Sequence, residues 1–257
     1  MDLGLTGRTA LVAGSTSGLG LEIARALAAE GARVAICGRR EDIARRLAAE
    51  LPGAGGFPVD LTEPDAAERL TAAVVAELGR IDVLVLNAGG PPPGPAVDVP
   101  RDAVASALQT LLLRQVELVA QVLPGMRAHR WGRIVAVGSS GVQQPLPGLA
   151  LSNIARAGLA GYLKTLAGEV APDGVTVNMV LPGRIATERV ASLDRGRAER
   201  EGTDVADVEA RSRATIPVGR YGRPAEFAAV AAFLCSDQAS YVTGEQVRCD
   251  GGLVGAY

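Results

Sequence analysis

The sequence is poor in the residues that several specialised protein classes require. Its 257 residues include one histidine and three cysteines, and aromatic residues make up 3% of the chain. Cys37, Cys235 and Cys249 are far apart and odd in number, which argues against a disulfide framework or a zinc site. We therefore expect no metal site, and we expect the three thiols to be small buried groups in a reducing compartment.

Excess charge and long hydrophobic runs are also missing. The chain has 26 Lys and Arg against 28 Asp and Glu, a formal net charge of -2, which argues against nucleic acid or an anionic membrane as a partner. No run reaches 18 apolar residues, and the N-terminus has no basic stretch followed by an apolar run. We therefore expect no membrane span, no signal peptide and a cytoplasmic location.

Aliphatic residues are abundant, and they are arranged in an alternating pattern. Hydrophobic residues make up 48% of the chain. Short apolar runs typical of strands, at 9–13, 33–37, 56–59, 81–86, 134–137, 175–180 and 246–248, are separated by segments of helical period. Strands that are apolar on both faces and separated by helices indicate an α/β fold, a doubly wound parallel sheet with helices on both faces. We expect one domain over residues 1–257, with a charged excursion at about 184–213 that is either a solvated helical segment or a mobile lid.

A glycine-rich turn follows the first predicted strand. Gly14, Gly18 and Gly20 lie between that strand and a helical segment. Glycines permit a sharp turn and a close approach of the backbone to a diphosphate, and the helix N-terminus offers free N–H groups to it. The turn therefore predicts a dinucleotide site.

Several further motifs, taken together, resemble the short-chain dehydrogenase/reductase family. The glycine spacing is GxxxGxG, Asn87-Ala88-Gly89 resembles the family's NAG motif, and Tyr241-Val-Thr-Gly244 and Asp250-Gly-Gly252 match its usual ending. The resemblance implies a seven-stranded sheet, a homo-oligomer (dimer or tetramer) and a small-molecule substrate. It also implies cofactor contacts at Gly14, Ser15, Ser17, Gly18, Leu19, Gly20, Asp60, Leu61, Asn87, Ala88, Gly89, Pro182, Gly183, Ile185 and Thr187.

The end of the second strand indicates which nicotinamide nucleotide binds. Members of this family that prefer NAD carry a carboxylate there, whereas this chain has Arg39 and Arg40. A guanidinium can bind the 2′-phosphate of NADP(H) with paired hydrogen bonds, and a carboxylate would repel it. We expect Arg39 to make this contact and NADP(H) to be preferred over NAD(H).

The family's catalytic residues are Asn, Ser, Tyr and Lys, and most of them are absent here. Alignment places the Asn, Tyr and Lys positions at Leu111, Leu151 and Ala155, where no side chain can transfer a proton. Ser139 matches the serine, but it lies 12 residues before Leu151 where the family usually has 13, so Ser140 remains an alternative.

Two other features could belong to the site. Arg156 could form a salt bridge at a subunit contact or point at a substrate anion. The proline-rich loop 89–95 could form a rigid wall near the substrate, or could simply end the strand.

Three functions fit this pattern. The first is an NADP(H)-dependent oxidoreductase that acts on a small carbonyl or hydroxy compound, including 3-oxoacyl thioesters, by a changed proton relay. The second is a lyase or isomerase on the same scaffold. The third is a catalytically silent subunit that binds NADP(H).

Overall fold

The computed structural model describes residues 2–255, so positions 1, 256 and 257 of the expected domain lie outside the described residues. The strands are β1 (Thr9–Val12), β2 (Arg33–Gly38), β3 (Gly55–Pro58), β4 (Val83–Leu86), β5 (Gly132–Val137), β6 (Val175–Pro182) and β7 (Gln246–Cys249). The helices are α1 (Gly18–Ala29), α2 (Glu41–Ala49), α3 (Ala66–Leu78), α4 (Arg101–Leu108), α5 (Arg114–Ala128), α6 (Ala150–Val170), α7 (Glu188–Glu201), α8 (Val205–Ala214) and α9 (Pro224–Leu234).

The strands form one parallel sheet in the order β3-β2-β1-β4-β5-β6-β7. Every residue of β1, β4 and β5 is buried, as expected for strands covered on both faces. The predicted doubly wound sheet is therefore confirmed. The strand order reverses between β1 and β4, which is where open sheets of this type bind ligands outside the carboxyl ends of their strands.

Two apolar layers cover the sheet. On one face Leu70 and Val74 of α3 pack in the same cluster as Leu118 of α5 and Leu163 of α6. On the other face Ile23, Leu27, Leu47 and Phe227 from α1, α2 and α9 form the second cluster. The core therefore lies between the helices and the sheet, and it leaves the carboxyl edge of the strands free for a site.

The long helical segment 101–128 is interrupted by one π-turn, Gln109–Leu113, that separates α4 from α5. Helical periodicity in the sequence does not reveal this interruption, because one extra residue in a turn leaves the apolar pattern nearly unchanged. Arg101–Ala128 is long and apolar enough to cross a membrane by length and composition, a test that core helices also pass. Here Leu118, Val122 and Met126 of this segment pack in the core cluster.

The charged excursion folds into α7 and α8. Asp194 and Ala198 of α7 and Val208 of α8 are buried, and a salt bridge of 3.0 Å joins Asp194 to Arg184. The excursion therefore has its own small buried contacts as well as a solvated face, and it lies directly after the end of β6.

Candidate active site

The glycine-rich turn has an open face. Gly14 and Gly18 both have φ +57°, a left-handed conformation that favours glycine. A Cβ at Gly18 would meet nothing within 4 Å, and neither would one at Gly89. Ser17 precedes α1 without capping it through its side chain, so within residues 2–255 the first N–H groups of this helix have no side-chain partner. The turn thus has both the space and the free donors that a diphosphate requires.

Asn87 fixes the position of this turn relative to β4. Its Nδ2 donates to the carbonyl oxygens of Ala13 at 3.1 Å and of Gly14 at 3.2 Å. A Cβ at Gly20 would lie 2.5 Å from the Gly14 carbonyl oxygen and 2.8 Å from Asn87 Nδ2. Gly20 is therefore needed for close packing, and the Asn87 side chain holds the backbone of the turn in place.

Ser15 has a structural contact that the resemblance does not reveal. It is fully buried, and its hydroxyl accepts a hydrogen bond of 2.9 Å from the amide of Cys37. The Ser15 amide donates in turn to the Cys37 carbonyl at 3.0 Å. The side chain thereby ties the turn to the end of β2.

The ends of β2 and β3 bring Arg39 and Asp60 together. Arg39 is exposed, and it contributes to a pKa of Asp60 below the usual range, although hydrogen bonds from Thr62 to the Asp60 carboxylate are the larger cause. The carbonyl of Leu61 accepts a hydrogen bond of 2.6 Å from Nε of Arg114. An exposed guanidinium thus stands at the strand end where the phosphate contact is predicted.

The segment after β6 closes the other side of the edge. Gly183 donates to the Cys249 carbonyl at 3.1 Å, and a Cβ at Gly183 would lie 2.7 Å from Cα of Asp250, so the turn after Pro182 requires glycine. Ile185 is buried, and Thr187 caps α7 by accepting from the Val190 amide at 3.4 Å.

The three positions predicted for Asn, Tyr and Lys do come together. Leu111 and Ala155 are buried in one small apolar cluster with Ala107, and Leu151 and Ala88 pack against it. Leu111 lies in the π-turn, which directs it toward α6. None of these side chains can donate or accept a proton.

The predicted serines lie directly after β5. The Ser139 hydroxyl accepts a hydrogen bond of 3.1 Å from the Gly141 amide, and Ser140 is buried. Ser139 caps the short 3₁₀ turn that starts at Ser140, and its hydroxyl keeps its own hydrogen available to donate.

Arg156 is buried within the protein and does not lie on the surface, where a subunit salt bridge would require it. Its side chain points into the protein, is 8% exposed, and donates through Nη1 to the carbonyl of Val137, the last residue of β5. Burial, with a smaller contribution from the neighbouring Arg189 cation, lowers the Arg156 pKa to about 10. Helical periodicity gives the direction in which this side chain leaves α6, but no information on where a long side chain ends.

A groove of about 550 Å³ runs beside this region. Its walls are the proline-rich loop, the first part of α4, Leu111 and Leu151. Arg189 of α7 reaches the same loop, since its Nη2 donates to the Pro91 carbonyl at 2.6 Å. The loop is therefore one wall of a concave, mostly apolar space that Leu111 and Leu151 also line, the kind of space that binds small molecules.

The fold and this edge define a class of protein, the dinucleotide-binding α/β domains. Residues 13–254 match the family model described as Enoyl-(Acyl carrier protein) reductase. The chain belongs to the short-chain dehydrogenase/reductase family.

Two relatives and two solved structures illustrate the membership. The chain is 36% identical to the 3-oxoacyl-acyl-carrier-protein reductase FabG of Salmonella typhimurium over 96% of this chain and 97% of the relative. It is 36% identical to dehydrogenase/reductase SDR family member 4 of Bos taurus, over 96% of this chain and 88% of the relative. A structure of an actinorhodin polyketide ketoreductase with NADPH superposes with a TM-score of 0.92 at 36% identity, over 97% of this chain and 98% of that one. L-sorbose reductase of Gluconobacter frateurii, solved with NADPH and L-sorbose, gives a TM-score of 0.94 at 30% identity over the whole of both chains.

Proposed function

We propose that the protein is an NADP(H)-dependent oxidoreductase that acts on a small carbonyl or hydroxy compound, with 3-oxoacyl compounds among the candidates. The observation that carries this proposal is the set of groups at the carboxyl edge of the sheet that fit a dinucleotide. The open glycine turn with its uncapped helix suits the diphosphate, and Arg39 suits the 2′-phosphate. The relatives that were solved with NADPH support the same cofactor.

The reaction would take place between the nucleotide turn and the groove. Bound at this edge, NADPH would provide the hydride for the carbonyl carbon of the substrate. The chain's own contribution is a substrate space with apolar walls and the Ser139 hydroxyl, which can donate a hydrogen bond to the substrate oxygen. Because the described residues place no tyrosine in this groove, the proton is proposed to come from water or through Ser139.

The experiment that tests the nucleotide part is a fluorescence titration with NADPH and NADH. The wild-type protein should bind NADPH at micromolar concentration and NADH clearly more weakly. Charge-assisted hydrogen bonds contribute about 1.5–3 kcal/mol, so Arg39→Ala should weaken NADPH binding by about 10- to 150-fold and leave NADH binding unchanged. Arg40→Ala removes the neighbouring exposed arginine, and this matched control should bind both nucleotides as the wild type does.

The reductase part is tested by following NADPH absorbance with a panel of ketones and 3-oxoacyl thioesters. Turnover of any of them supports the proposal. Equal binding of NADPH and NADH would remove the role of Arg39. Tight NADPH binding without turnover on the whole panel would favour the silent nucleotide-binding subunit, and a product formed without NADPH consumption would favour a lyase or isomerase.

A further inference from the structure

Arg156 is a buried cation without a counter-charge among residues 2–255. A guanidinium has five N–H donors, and in the described part of the chain only the Val137 carbonyl accepts from this one. Among these residues, the charged group that acts on its pKa is the Arg189 cation, and no carboxylate contributes. Buried charges in proteins are normally paired, because an isolated one loses its hydration without compensation. The remaining donors therefore point to a partner outside residues 2–255.

A second arginine, Arg189, reaches the loop after β4. Arg189 is bonded to the Pro91 carbonyl, and its guanidinium atoms lie 3.1–3.3 Å from where a Cβ of Gly90 would be. After burial, which is the larger cause, its positive charge contributes to the lowered pKa of Arg156. Val137 ends β5 and Pro91 lies in the loop after β4, and these strands are neighbours, so both arginines bond to backbone at the same carboxyl edge of the sheet. Two cations held together without an acid between them favour an anion.

The position of Arg156 on α6 agrees with a role at the site. Counting one residue later along α6 places the family's Tyr and Lys positions at Ser152 and Arg156. The interval from Ser139 then becomes 13 residues, which is the family's usual spacing. In that register Leu151 and Ala155 belong to the apolar cluster with Leu111, as the structure has them.

We propose that Arg156 and Arg189 form an oxyanion-binding pair at the carboxyl edge of β4 and β5, which binds a phosphate or carboxylate group of a bound ligand. The inference rests on the proposed function, because the edge is the one assigned there to nucleotide and substrate. The anion has two sources to be distinguished: the side of the cofactor diphosphate that faces away from the glycine turn, or an acidic group of the substrate. Arg156 is the inner member of the pair and Arg189, on α7, is the outer one.

The stability of the ligand-free protein separates this role from a structural one. Arg156→Met keeps an unbranched side chain and removes the charge. If Arg156 is present for a ligand, the ligand-free variant should have an unchanged or higher Tm, because an uncompensated buried charge is removed. If Arg156 serves only to hold Val137, the Tm should fall, and that result would overturn the proposal.

Binding to defined probes identifies the anion's source. NADPH is titrated by fluorescence. Adenosine 2′,5′-bisphosphate is the comparison ligand, because it lacks the diphosphate bridge and the nicotinamide half. Acetoacetate and its ethyl ester are compared by thermal shift in the presence of NADP+, since esterification removes the carboxylate charge and adds one ethyl group. The variants are Arg156→Met, Arg156→Lys, Arg189→Met and the control Arg200→Met, an exposed arginine near the end of α7.

Both methionine variants of the pair should lose tenfold or more in affinity for one probe class, and Arg156→Lys should recover part of that loss. A loss for NADPH and for inorganic pyrophosphate, with adenosine 2′,5′-bisphosphate unchanged, identifies the cofactor diphosphate as the anion. A loss for acetoacetate but not for its ester identifies a substrate carboxylate. Arg156→Met binding all probes as the wild type does, or losing the bisphosphate as well, would overturn the proposal.

Failure of the proposed function is visible separately, in the wild-type titration. If the wild type binds no NADPH, the nucleotide proposal falls. Thermal shifts with acetoacetate and inorganic pyrophosphate, compared between wild type and Arg156→Met, then test the anion pair alone. An anion-dependent shift that is present in the wild type and lost in the variant would retain the pair, and equal shifts would reject it.

Discussion

Ala155→Lys tests whether position 155 faces a polar site or an apolar cluster. Ala155 is fully buried, and its neighbours are Ala107, Leu111 and the partly buried Leu151. An ammonium in this cluster would have to lose its proton or its hydration. Neutralising a lysine of pKa about 10.4 at pH 7 costs about 5 kcal/mol, and the added side-chain volume costs a further ~1–3 kcal/mol.

The matched control is Ala155→Met, which adds similar bulk without a charge. We expect the lysine variant to be less stable than the methionine variant by about 5 kcal/mol at pH 7, a large part of the 5–15 kcal/mol that typically stabilises a domain. The sign with pH follows from linkage: the folded-state pKa is depressed, so the unfolded state binds more protons and stability rises with pH. The difference should therefore shrink by about 4 kcal/mol between pH 7 and 10.

The assay is urea unfolding followed by the fluorescence of Trp131, the single tryptophan, which is packed between Arg8 and Arg133. Equal stability of the lysine and methionine variants at pH 7 would refute the reasoning. It would mean that position 155 opens on water or on a polar site, as a lysine position of this family would.

The same reasoning predicts which register of α6 can regain ordinary chemistry. The sequence alignment favours Leu111→Asn with Leu151→Tyr and Ala155→Lys as the triple variant that creates ketone reduction. The structure leads us to expect that Leu111→Asn with Ser152→Tyr and Arg156→Lys folds and reduces ketones with NADPH. Activity in the first triple variant and none in the second would reverse this conclusion.

Two further predictions concern the turns and the thiols. Gly183→Ala should lower the free energy of unfolding by about 1–3 kcal/mol, because its Cβ would collide with Asp250. Gly89→Ala places its Cβ in open space, so this variant should keep wild-type stability but bind NADPH more weakly. Equal urea midpoints of the two variants would contradict this prediction. Burial raises the pKa of Cys37 to about 11 and of Cys235 to about 12, so neither should react with a thiol reagent at pH 8 in the native protein. Mass spectrometry of the labelled protein should show at most one modification, at Cys249, and a label on either of the others would count against the packing.

The sequence by itself determined the order of strands and helices, the doubly wound class and the nucleotide turn. These follow from short-range rules: apolar runs of strand length become buried parallel strands, and Gly14 and Gly18 are required where φ is positive. Only the tertiary structure decided what the chemistry-bearing residues contact. Ser15 and Asn87 hold the backbone of the turn, and Arg156 extends to the end of β5.

The physical reason is that periodicity gives the direction in which a side chain leaves its helix, not where its charged end lies. One added residue in the π-turn at Gln109–Leu113 changes which side chain of α4 meets α6, and a long arginine extends well beyond its own Cα. On α6, Ala155 belongs to the apolar cluster with Leu111, and the next residue is the buried cation Arg156. A shift of one residue in the alignment of this helix therefore decides which of the two stands at the family's lysine position. That register is set by packing between helices distant in sequence, which no local pattern encodes.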